Sequence, residues 1–177
     1  MNINKFTQKS MEAVQNCEKL AYEFGNQEID QEHLLKSLID QEDGLILKLI
    51  EKMEIITADF SNRVTEDLNK KVKVQGGDLR ISNDLNKVLI TAEDEAKAMG
   101  DEYVSVEHLF LSLLKYPNKA MKELFKEYGI TRDRFLTALS TVRGNQRVTS
   151  DNPEATYDTL QKYGTDLVEK ARSQKLD

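Results

Sequence analysis

Tryptophan is missing from this 177-residue chain, and cysteine, histidine and proline are close to missing, with one, two and two copies. The lone cysteine, Cys17, cannot close a disulfide within the chain, so a disulfide-stapled scaffold is excluded. Cys17 lies on an apolar stripe and reads as a small buried side chain, not a nucleophile. A zincin needs two histidines four residues apart with a glutamate beside the first, whereas His33 and His108 stand alone beside Glu32 and Glu107. Both read as structural residues near helix starts, and no metal is expected. Nor do serine, histidine and acid, or cysteine and histidine, fall into a hydrolase arrangement. No glycine is followed by lysine, so the Walker A loop that would present amides and a lysine to nucleotide phosphates is absent. No catalytic residue and no cofactor are therefore expected in this chain. An excess of basic residues is lacking too: with a formal charge of −6 there is no footprint for neutralising phosphates, and nucleic acid is not an expected partner. No apolar run approaches the ~18 residues of a membrane span. The N-terminus, Met1-Asn2-Ile3-Asn4-Lys5, has no apolar signal core, so a cytoplasmic protein without membrane contact is the expectation.

What is there is a duplication. Gly25 recurs at Gly100, Glu32-His33-Leu34 at Glu107-His108-Leu109, and Ser37-Leu38 at Ser112-Leu113, an ungapped offset of 75 residues that also superposes Ala21 on Ala96, Leu49 on Leu124 and Phe60 on Phe135. In the first copy, about 6–71, Val14, Cys17, Ala21 and Phe24 fall at helical spacing, with Thr7 as N-cap and Gly25 as stop. Its counterpart runs from Ser82 to Met99 within a second copy spanning about 81–143. Short extended connections follow at Glu28-Ile29 and Tyr103-Val104. Then come capping residues Asp30 and Ser105, and brief apolar helices. Further helices are predicted over 44–53 and 57–71, matched by 118–128 and 131–143. The fold predicted is all-α: two tandem four-helix repeats related by a pseudo-twofold axis, because neither half buries its apolar faces alone. Residues 144–155, polar and turn-rich, read as a flexible linker, and 156–177 as one further helix carrying Leu160, Tyr163, Leu167, Val168 and Ala171.

The doubled unit, with E-H-L-L at 32–35 and E-H-L-F at 107–110, resembles the Clp N-terminal double repeat of AAA+ unfoldases. R-V-T-S at 147–150, P-E-A-T-Y at 153–157, L-Q-K-Y at 160–163 and D-L-V-E-K-A at 166–171 resemble the segment that joins this domain to the first ATPase module of ClpB-type disaggregases, and K-L-D at 175–177 resembles the start of that module. The resemblance implies the substrate-recognition domain of an ATP-dependent chaperone. Such a domain takes up unfolded or aggregated polypeptide and passes it to a homohexameric ring. ATP and Mg belong to the parent protein, the DnaK system is a partner through that parent, and the isolated fragment is expected to be a monomer.

The same resemblance implies a shallow groove with a polar rim at Thr7, Asp101 and Glu107 and an apolar contribution from Leu89. Other positions aligned with the apolar floor, Thr91, Glu95 and His108, are polar in this chain. Similarity to ClpC domains implies an alternative: two related pockets, built on Glu32 and Glu107 with Thr7 and Ser82, for arginine-phosphate groups or adaptor proteins. A carboxylate can hold a guanidinium while helix amides receive the phosphate.

Overall fold

The computed structural model describes residues 3–154, and the helix expected over 156–177 lies outside them. Eight α-helices are present among the described residues: α1 (Gln8–Glu23), α2 (Gln31–Ile39), α3 (Leu45–Lys52), α4 (Thr57–Asn69), α5 (Asn83–Ala98), α6 (Val106–Lys115), α7 (Lys119–Tyr128) and α8 (Arg132–Arg143). The helix starts are chemically marked. Thr7, Ser82, Asn118 and Thr131 each accept a backbone amide one turn into the helix that follows, satisfying a donor with no partner inside it. Gly25 and Gly100, just past α1 and α5, take φ of 70° and 71°, where a side chain would be strained.

Helices α2 and α6 form the centre. Eight of the ten residues of α6 are buried, as are eight of the nine in α2, so these helices lack a solvent face and are packed from several sides. That explains the repeated Ser-Leu pair. Ser37 Oγ donates to Ala13 O at 2.6 Å and Ser112 Oγ to Val88 O at 2.8 Å, so each buried hydroxyl is satisfied by the long helix packed against it while the adjacent leucine fills the core. Phe110 stacks on Phe135 with centroids 4.5 Å apart, and Phe60 of the first copy meets Tyr128 of the second edge-on at 5.2 Å.

The two copies are joined reciprocally. Strand β1 (Glu28–Ile29) pairs in parallel with β2 (Arg80–Ile81), setting Ile29 beside Ile81, and Phe6 forms the corresponding parallel bridge with Val104. Ser82 N donates to Ile29 O at 2.9 Å just as Thr7 N donates to Val104 O at 2.9 Å. Adding 75 to one member of each pair yields the other with the copies exchanged, the pattern a twofold relation produces. Helix bounds fall within two residues of those expected. The extended lead-in at Arg80–Ile81 was not foreseen, because two residues carry no period and form only by pairing with the other copy.

Residues 146–154, inside the expected flexible linker, lie against the body. Glu102 N donates to Val148 O at 2.8 Å, Gln8 N to Asp151 O at 2.7 Å, and Val148 N to the Asp101 carboxylate at 3.0 Å. Val148 is fully buried, and Pro153 and Glu154 are buried as well.

Candidate functional site

The reciprocal seam generates two related polar clusters, each where the start of α2 or α6 meets the residue capping the long helix of the other copy. In both, a histidine at the third helical position accepts the amide of the N-cap residue through Nδ1: Asp30 N to His33 at 2.9 Å, Ser105 N to His108 at 2.8 Å. A backbone amide only donates, so Nδ1 is unprotonated and the neutral ring carries its proton on Nε2. Nε2 faces Asn26 Oδ1 at 2.9 Å in the first cluster and Asp101 Oδ2 at 2.7 Å in the second. Both ring nitrogens are thus committed, leaving no lone pair for a metal. Burial, then the nearby Lys71 charge, lowers the His33 pKa to about 4.

In the first cluster Asp30 is the centre. Its Oδ1 accepts from Gln31 N at 2.8 Å and from Ser82 Oγ at 2.8 Å, while Lys71 Nζ reaches Oδ2 at 3.1 Å. Lys71 also pairs with Glu32 at 2.7 Å, and Asn118 Nδ2 donates to the same glutamate at 2.7 Å. Burial works against the Asp30 charge, but the Gln31 amide, Lys71 and Ser82 outweigh it, and its pKa lies below the ordinary carboxylate value.

The second cluster has Ser105 in place of that aspartate, and the missing carboxyl group arrives from elsewhere. Glu154 Oε2 accepts from Thr7 Oγ1 at 2.7 Å and from Val106 N at 3.2 Å, the counterparts of Ser82 and Gln31. Arg143, only 2% exposed, closes the cluster through ion pairs with Asp101 and Glu107, the latter at 3.5 Å. Glu107 also accepts from Ser105 Oγ. Asp101 is buried, yet His108, Arg143 and the Val148 amide hold its pKa below the ordinary value. Glu154 goes the other way: burial, then the charge of Glu107, pushes its pKa up to about 7, and its Oε1 is buried without a hydrogen-bond partner.

Of the residues named for the groove, Thr7, Asp101 and Glu107 come together in the second cluster, all buried beneath the segment ending at Glu154. Leu89 sits apart, 1% exposed in the core face of α5. Thr91 bonds Ser112 Oγ at 2.7 Å, and Glu95 takes a two-pronged contact from Arg132 at 3.1 and 2.7 Å, so both polar substitutions have partners. Glu32 and Ser82 belong to the first cluster, Thr7 and Glu107 to the second, and both glutamates already hold a cation of the chain. Sequence reasoning missed Arg143, Glu154, Lys71 and Asn118. One signal was available: the mismatch of Asp30 with Ser105 marks a carboxylate that one copy supplies itself and the other lacks. Beside the second cluster a cleft opens to solvent, lined by Phe6, Thr7, Met11, Gln15, Tyr103 and Asp151. Among the described residues no group of three or more histidine, cysteine, aspartate or glutamate side chains is placed to hold a metal ion, and no helix is long and apolar enough to cross a membrane.

Comparison with known proteins agrees with this architecture. The Clp repeat (R) N-terminal domain is matched over residues 5–128. The chaperone protein ClpB of Nitratidesulfovibrio vulgaris is 45% identical over 183 residues, taking in 100% of this chain and 21% of that protein, and ClpB of Bacillus anthracis is 40% identical over 182 residues with the same coverage. The chain thus spans about a fifth of the length of these relatives. Among solved structures, the Hsp104 N-terminal domain from Candida albicans superposes with a TM-score of 0.74 at 27% identity, covering 85% of this chain and 99% of that one. A ClpV N-domain in complex with a VipB peptide shares the fold, with a TM-score of 0.65 at 19% identity over 86% of this chain and 91% of that one. With the family match over most of the chain and ClpB relatives aligned along all of it, the chain belongs to the Clp N-terminal repeat family as a ClpB-type N-terminal domain.

Proposed function

We propose that this domain captures exposed, extended segments of unfolded or aggregated polypeptide and presents them to the ATPase ring of a ClpB-type chaperone. The observation that carries this reading is the second cluster with its adjoining cleft. There a stretch of polypeptide, the chain's own 146–154, irregular up to Asn152 and helical at Pro153–Glu154, is held by main-chain hydrogen bonds at Glu102 and Gln8, by burial of Val148, and by one acidic side chain. A surface that accepts backbone amides and carbonyls, with Phe6, Met11 and Tyr103 at its margin, suits polypeptide of varied sequence. Whole-chain similarity to ClpB supports the same assignment.

ATP and Mg belong, in this proposal, to modules outside the chain, which carries no Walker motif. The parent is a cytoplasmic homohexamer that cooperates with the DnaK system, and six domains on one ring compensate for weak single-site affinity by avidity. Micromolar or weaker binding, ~8 kcal/mol or less, allows release to the pore. Titrating a reduced, alkylated and permanently unfolded protein into the isotope-labelled chain should shift the amide resonances of Phe6, Thr7, Met11 and Tyr103. Unmoved resonances at millimolar ligand would remove the basis for the proposal.

A further inference from the structure

We propose that Thr7 Oγ1 and the N-terminal amide of α6 form a carboxyl-binding site, with Glu154 as its built-in occupant, and that an acidic side chain on an extended polypeptide takes the same place when residues 147–154 leave. The last part rests on the polypeptide-capture reading above; the site itself does not.

Three independent observations converge. First, the two clusters are chemically matched except at one position. Gln31 N and Ser82 Oγ in one copy, and Val106 N and Thr7 Oγ1 in the other, each converge on a single carboxylate oxygen. In the first copy that oxygen belongs to Asp30, the N-cap of α2 itself. In the second the N-cap is Ser105, whose short side chain leaves the seat to Glu154, 48 positions beyond Val106. A seat retained while its resident aspartate is replaced is a seat for a carboxyl group from outside the helix. Second, the occupant is incompletely satisfied. Glu154 is 6% exposed, yet its Oε1 has no hydrogen-bond partner, whereas both oxygens of Asp30 are engaged. Third, part of the hold on the segment is through its backbone, at the carbonyls of Val148 and Asp151, by contacts that do not depend on side-chain identity.

The charges facing Glu154 favour exchange over permanent docking. Glu107 and Asp101 face the cluster from α6 and the loop before it, Arg143 from the end of α8, and His108 is hydrogen bonded to Asp101. Arg143 pairs with Asp101 and Glu107, and a carboxyl group in the seat also meets the Glu107 charge: burial, then that charge, raises the Glu154 pKa to about 7. A segment bringing an acidic side chain together with better apolar contacts in the cleft at Phe6, Met11 and Tyr103 would displace the resident one.

The test uses the 177-residue chain as wild type, as Glu154→Ala, and as Glu154→Ala with Thr7→Val. The probe is a fluorescent synthetic peptide with the sequence of residues 146–155, made also with alanine at the position of Glu154. Vacating the seat should strengthen binding of the acidic peptide by about tenfold over wild type, the worth of one buried hydrogen bond. The alanine peptide should gain clearly less, and Thr7→Val should abolish the difference between the two peptides. Circular dichroism melting controls for folding of the double variant. If that variant is unfolded, faster amide exchange at Val106 and Gln8 in Glu154→Ala alone serves as the second readout. Equal affinity of the acidic peptide for wild type and Glu154→Ala, or unchanged exchange at both amides, would overturn the site. Titration of the unfolded protein separates the two proposals. Peptide binding without unfolded-protein binding sinks capture and leaves the site standing. Unfolded-protein binding that is indifferent to Glu154→Ala and to the peptide sinks the site and leaves capture standing.

Discussion

The first and second clusters are built from the same backbone frame and differ in where their central carboxyl group comes from. Asp30 is local to its helix, contacted by a lysine as well as by the amide and hydroxyl, and its pKa is lowered. Glu154 sits against the equivalent amide and hydroxyl, but the cation of its cluster is committed to two other acids, and its pKa is raised to about 7. A matched pair of donors thus accompanies opposite titration: burial penalises both carboxylates, but at Asp30 the Gln31 amide, Lys71 and Ser82 outweigh it, whereas at Glu154 the Glu107 charge adds to it. A local cap makes the first cluster a structural joint, while a carboxyl group supplied from a distant segment makes the second a joint that can open.

The largest expected effect concerns the two cations. Arg143→Met leaves Asp101 and Glu107 buried without their partner and should cost ~3–5 kcal/mol in urea unfolding. Lys71 is itself 23% exposed, so its ion pairs are partly screened by water, and Lys71→Met should cost clearly less, ~1–2 kcal/mol. Equal costs would show that the clusters are not electrostatically distinct.

Acid comes next. His33 is held neutral with a pKa of about 4, below its unfolded value, so the unfolded chain binds the extra proton. The sign follows: stability from this group is complete above about pH 6.5 and is lost as pH falls towards 4, on the order of 3 kcal/mol in all. His33→Gln should flatten that part of the pH dependence of the urea midpoint. A full slope surviving in the variant would place the titration elsewhere.

Removing the local cap with Asp30→Ala should cost ~1–2 kcal/mol of global stability. Glu154→Ala should move the melting temperature little and act locally, visible as faster exchange at Val106 and Gln8.

The smallest effect is the pH response of the second cluster. Because the docked Glu154 has a raised pKa, docking is favoured when the group is protonated, is complete below about pH 4.5, and weakens as pH rises through 7. Heteronuclear relaxation of the Val148 and Asp151 amides between pH 5.5 and 8.5 should show increasing mobility, absent in Glu154→Gln. Ser105→Asp, which gives the second copy the cap of the first, should release the segment at all these pH values. A segment still docked in that variant would mean that the carboxyl seat is not what holds it.

Much of the scaffold was legible without coordinates. The 75-residue offset located eight helices, and Thr7, Ser82, Gly25 and Gly100 marked their ends, because caps and stops are local chemistry with short sequence signatures. The burial of Cys17, whose pKa is raised to about 12 by desolvation, followed from helical period in the same way. The repeated histidines were legible as structural residues at helix starts, though not their second partners, Asn26 and Asp101, which lie seven residues upstream across a turn.

By itself, then, the sequence determined what is periodic and local: helices, their boundaries, the duplication, and through its linear motifs the ClpB relationship. Only the tertiary structure decided which copy's seat is filled from within and which from outside. That outcome turns on Arg143 and Glu154 meeting Thr7, Asp101 and Glu107 where the two copies join, at sequence separations from 36 to 147 residues. Such contacts arise from how two apolar bundles bury their faces together, and polar residues carried to the seam by that packing leave no period in the chain to announce them.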